Sequence, residues 1–119
     1  MSQLDDYIEV VETSYEFLLA YAAQGREDDN TGPGQKSRDT LGQLDTALSG
    51  IVELLDNSQA FHEVVKDDIG KTRKALTLIA ALPRISSELI DNLNASMHLR
   101  AVLTDLFLIS EAHRISASP

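Results

Sequence analysis

Apolar residues recur at alternating steps of three and four through four stretches of this chain, and no stretch of useful length alternates at steps of two. The first period places apolar side chains on one face of an α-helix, whereas a half-buried strand needs the second. The pattern restricts the fold to all-α. Composition agrees: 43% apolar residues suffice for a core, but aromatics reach only 5% and Trp is absent, so Leu, Ile, Val and Ala must fill it. The length of 119 residues suits one domain, and residues 1–119 are read as a single helical-bundle domain.

In the first segment Leu4, Ile8, Val11, Tyr15, Leu18 and Ala22 form the seam, widened by Tyr7, Val10, Phe17 and Tyr21. Ser2 is a candidate N-cap and Gly25 a candidate stop. Residues 26–37 carry turn formers and charge with no apolar side chain to anchor them, which predicts a long mobile loop. The second segment runs from about 38 to 56 on Leu41, Leu44, Leu48, Ile51 and Leu55, with Thr40 and Gln43 at capping-box spacing. The third, from about 59 to 82, carries Phe61, Val65, Ile69, Thr72, Leu76 and Ile79 and meets Pro83. The fourth, from about 86 to 113, carries Leu89, Leu93, Met97, Val102, Leu106 and Ile109, with Ser86 or Ser87 as cap and a frayed tail over 115–119. Short connections favour antiparallel neighbours, so the expected architecture is an up-down antiparallel bundle of four helices with a long mobile loop between the first and second.

Charge is distributed unevenly. The first 29 residues hold eight acids and one base, which is −7 of the formal −9. Asp5, Glu9, Glu12 and Glu16 follow the same three-four spacing as the seam and form a ridge beside it. Like charges at that spacing repel, so the ridge serves either solubility or a positive partner. The cations Lys71, Arg73 and Lys74 on the third segment offer an internal charge match instead. A pI near 4.6 argues against nucleic acid and anionic lipid as bulk ligands. No run is long and apolar enough to span a membrane, and the first residues lack the basic and apolar regions of a signal peptide, so a cytoplasmic location is expected.

Catalytic signatures are weak throughout. The absence of Cys excludes disulfides, thiolate sites and cysteine nucleophiles. Gly32-Pro33-Gly34-Gln35-Lys36-Ser37 echoes a phosphate loop, but Gln35 stands where that motif needs Gly. Asp28, Asn30 and Asp39 match three positions of a calcium loop that Gly32 and Pro33 then break. A di-metal bundle site needs Glu-x-x-His pairs, which are missing, so neither a metal nor a cofactor is expected. His62, with Lys66 four residues on, is a faint echo of a phosphotransfer histidine, and His113 suits a helix C-terminus.

Two patterns remain. Asp91, Asn94, His98 and Asp105 share one face of the expected fourth helix, a solvated face if exposed and a polar ligand row if buried. From Ala101 to Ile109 apolar residues wrap most of that helix, more than one buried face requires. Leu103 and Phe107 are therefore candidate contacts of a homodimer. The reading is a non-enzymatic interaction or regulatory module that presents an acidic helix to a basic protein partner. The alternatives are a small-ligand or metal-binding bundle around His98 and a phosphotransfer bundle using His62.

Overall fold

The computed structural model describes residues 2–117. It is all-α, with five α-helices and no strand among the described residues: α1 (Gln3–Ala22), α2 (Ser37–Leu54), α3 (Phe61–Ala80), α4 (Ser87–Ala95) and α5 (Met97–Ala117), plus a 3₁₀ turn at Gly32–Lys36 before α2. The molecule measures 50 × 24 × 20 Å.

Local chemistry accounts for most boundaries. Ser2 Oγ accepts the Asp5 N–H at 3.1 Å to start α1, and Ser86 Oγ accepts the Leu89 N–H at 3.0 Å to start α4. α3 stops before Pro83, as the missing N–H of proline requires. Asn57, with φ 62, turns the chain after α2. Thr40 does not cap α2: it lies inside the helix and donates to the Lys36 carbonyl.

The expected four-helix bundle is corrected at Ser96. Its ψ of 147° is extended, so the expected fourth helix becomes two. The cause is the Ser96 side chain, which donates to the Leu93 carbonyl at 2.7 Å and accepts the Leu99 N–H at 3.3 Å. It thereby closes α4 and opens α5, the backbone competition for which serine is suited. The two pieces pack on different partners: α4 lies mainly on α1 and α5 mainly on α3. The contacts Leu18–Asn94 and Tyr21–Ser87 make α1 and α4 antiparallel, and Arg73–Asp45 with Arg38–Ala80 does the same for α2 and α3. Residues 115–117, expected to fray, continue α5. The last two residues of that expected tail lie outside the described residues.

The core joins Ile8, Val11 and Leu18 of α1 to Leu44, Leu48 and Ile51 of α2, with α3 supplying Val65 and Ile69 and the later helices Ile90, Leu99 and Val102. Two glycines of α2 behave oppositely. A Cβ on Gly42 meets open space, whereas one on Gly50 runs into the Tyr7 ring. Gly42→Ala is thus expected to raise stability by about 0.5–1 kcal/mol through helix propensity, while in Gly50→Ala the displaced ring cancels or reverses that gain. Urea denaturation of the two variants checks the contrast.

The loop at 26–37 is the second correction. It lacks apolar anchors but is fixed by polar ones. Asp29 is 7% exposed, accepts the Ile85 N–H at 3.0 Å and pairs with Arg38 Nε at 2.7 Å. The rest of the Arg38 guanidinium donates to the carbonyls of Ala80 and Leu82, at 3.0 and 2.8 Å, at the open C-terminal end of α3. Arg26 and Ser87 bond reciprocally: Arg26 N–H donates to Ser87 Oγ at 2.7 Å and Ser87 N–H to the Arg26 carbonyl at 2.8 Å. Tyr21, fully buried, donates its hydroxyl to the Ile85 carbonyl at 2.6 Å. Burial pushes this phenol above its ordinary pKa, partly offset by the Ser37 hydroxyl beside it. One polar knot therefore ties the end of α1, the loop, the start of α2, the end of α3 and the start of α4.

Candidate functional site

The acidic ridge lies on the outer side of α1, away from the seam that α2 and α4 cover. Asp5, Glu9, Glu12 and Glu16 are all exposed. None of their carboxylates takes part in an ion pair or side-chain hydrogen bond among the described residues. The cations considered as an internal match are turned elsewhere: Lys71 pairs with Asp67 at 3.1 Å and Arg73 with Asp45 at 2.8 Å. The four-three-four spacing of the ridge continues one more step to Leu19, which is 46% exposed. The surface is thus a row of four carboxylates ending on an uncovered leucine. On another side of the helix, Tyr7 and Val10 line an open groove of about 580 Å³ with Gly42, Gln43 and Thr46 of α2.

The polar row around His98 does not assemble. The break at Ser96 turns α5 relative to α4, so the seven-residue spacing no longer marks a single face. Asp91 and His98 are exposed. Asn94 is buried and donates to the Leu18 carbonyl at 3.1 Å, which binds α4 to α1. Asp105 is buried against α3, where Asp68 faces it. Among the described residues no three His, Asp or Glu side chains gather as metal ligands do.

The two candidate dimer contacts part company as well. Leu103 is half-buried and packs on the core, whereas Phe107 is 64% exposed. Leu108 and Ile115, at 48% and 62%, extend that bare apolar surface. His62 is half-buried, its Nδ1 3.5 Å from Asp56 Oδ1; this is a structural contact at the α2–α3 turn, and a phosphotransfer role would need an accessible ring. His113 is exposed on the last turns of α5, where Arg114 pairs with Glu111 at 2.8 Å. Sequence reasoning missed Asp29, Arg38 and Asp68, whose partners lie on other elements and leave no local pattern.

No family model matches the chain, and no curated protein or solved structure matches it either. Fold and site define an all-α protein with an acidic helix face whose carboxylates make no ion pair among the described residues. No helix of the described residues is long and apolar enough to cross a membrane.

Proposed function

We propose that this protein is a non-enzymatic interaction module, acting in the cytoplasm, whose α1 ridge receives a basic segment of another protein. The supporting observation is that Asp5, Glu9, Glu12 and Glu16 stand exposed and unpaired while Lys71 and Arg73 are matched to other acids. Leu19 at the end of the row refines the partner's chemistry: lysines or arginines at helical spacing, with an apolar side chain beyond them. Exposed carboxylates contribute little to stability, so binding and folding separate cleanly. The triple change Glu9→Gln, Glu12→Gln, Glu16→Gln is expected to slow association with the basic partner isolated from the native source at least several-fold. Its melting temperature is expected to stay within a few degrees of wild type. Unchanged association would leave the ridge as a solubility face.

The proposed module is also a homodimer. Supporting this, Phe107, Leu108 and Ile115 leave an apolar surface on α5, a helix that among the described residues packs mainly on α3. A charge at Phe107 would have to be buried without a partner in such an interface. Phe107→Asp is thus expected to convert a dimer into a folded monomer in sedimentation at tens of micromolar, a range that a standard interface withstands. A wild-type protein that sediments as a monomer there removes the dimer.

A further inference from the structure

Helix α5 presents Leu99, Val102 and Leu106 to the interior, all three buried. One acid interrupts that row. Asp105 is 5% exposed, and the group facing it from α3 is a second acid, Asp68. Among the described residues neither carboxyl belongs to an ion pair: of the α3 cations, Lys71 and Arg73 pair with Asp67 and Asp45, while Lys66 is half-buried and Lys74 exposed, neither in an ion pair with them. On α5 itself His98 and Arg100 are exposed, and α4, the other helix packed on α5, carries its acids Glu88 and Asp91 on the outside. Among the described residues Oδ2 of Asp105 has no hydrogen-bond partner.

Two ionised carboxyls in this position combine a buried unsatisfied oxygen with like-charge repulsion. A single proton removes both, because a protonated carboxyl donates its O–H to the neighbouring carboxylate. A single residue with extended backbone, Ser96, joins α5 to α4. We propose that Asp68 and Asp105 form a proton-operated latch: with one shared proton α5 lies closed on α3, and with none it loosens about Ser96 and uncovers Leu99, Val102 and Leu106.

Burial first, and then the Asp68 carboxyl, raise Asp105 from 3.8 to about 7, so the latch works close to neutral pH. The sign follows from proton counting. Between the two values the folded state holds a proton that the unfolded chain has lost, so stability rises as pH falls from about 7 toward 4. Asp29 acts oppositely and in a separate window. Burial tends to raise its pKa, but the bonds from Ile85 N–H and Arg38 outweigh that and hold it below 3.8. Its contribution is present above that value and is lost only as pH falls further.

The test is a set of melts of the full chain between about pH 5 and 8, with wild type, Asp105→Asn and Asp68→Asn. The asparagine amide at position 105 donates to Asp68 at every pH and so imitates the closed latch. Wild type is expected to melt several degrees lower at the alkaline end. Asp105→Asn is expected to be flat across the window and to melt above wild type at pH 8. Amides of residues 99–106 in wild type are expected to exchange about tenfold faster at the alkaline end, after correction for intrinsic rates. If Asp105→Asn does not fold, the carboxyl-carbon NMR titration of wild type decides: a midpoint near 7 supports the latch and one below about 5 overturns it. Parallel melting profiles for wild type and Asp105→Asn also overturn it.

Discussion

Tyr21→Ala is expected to destabilise the protein by about 3–5 kcal/mol, the range for removing a buried aromatic side chain. The ring is fully buried. It stacks on Phe17 with centroids 6.2 Å apart and lies 5.7 Å beneath the Arg26 guanidinium. Its hydroxyl bonds the Ile85 carbonyl at 2.6 Å, and with the ring gone that buried oxygen loses its donor. Tyr21→Phe separates the two losses. It keeps the ring and removes the hydroxyl, and is expected to cost about 1–2 kcal/mol. Urea denaturation gives both values. A loss below 1 kcal/mol for Tyr21→Ala would mean that α4 is not held to α1 through this residue.

Asp29→Ala is the second large effect, at about 2–4 kcal/mol, because it leaves the Ile85 N–H and the Arg38 Nε–H without their acceptor and removes the counter-charge of Arg38. Arg38 is more than one-third exposed, which keeps the loss below that of a fully buried pair. Asp29→Asn retains an acceptor for Ile85 and is expected to lose about 1 kcal/mol. Because Tyr21 and Asp29 bond the carbonyl and the N–H of the same residue, Ile85, the double variant is expected to cost less than the sum of the singles. Exact additivity would show that they are independent.

What the sequence made legible follows from range. Helices rest on local periodicity, so α1, α2 and α3 emerged nearly intact, as did the cap at Ser2 and, of the two serines expected to start α4, the one at Ser86. The break at Ser96 was hidden because Leu93, Met97 and Val102 carry the apolar rhythm across it, yet Met97 is 81% exposed and belongs to no seam. A serine that caps one helix while closing another has no signature in periodicity. The loop at 26–37 has no apolar residue to show an anchor in the sequence. Its anchor is a carboxylate bonded to a backbone amide 56 residues away, a pairing that exists only after folding. The ridge was readable because exposure on a helix follows directly from spacing. The row around His98 failed for the converse reason: spacing on one helix means nothing once the helix is two. Asp105 stands out by its place in the row, but Asp68, its counterpart on α3, meets it only through the packing of α5.

The proposed recognition through the acidic ridge is tested most directly by the association rate of the unmodified full chain with a basic protein isolated from the native source, followed across ionic strength from about 0.05 to 0.5 M. If the four exposed carboxylates steer encounter, they act on approach, before close contacts form. The expected result is an association rate that falls at least tenfold over this range, while the dissociation rate changes little. An association rate indifferent to salt, with any weakening confined to dissociation, would contradict recognition through the ridge of α1.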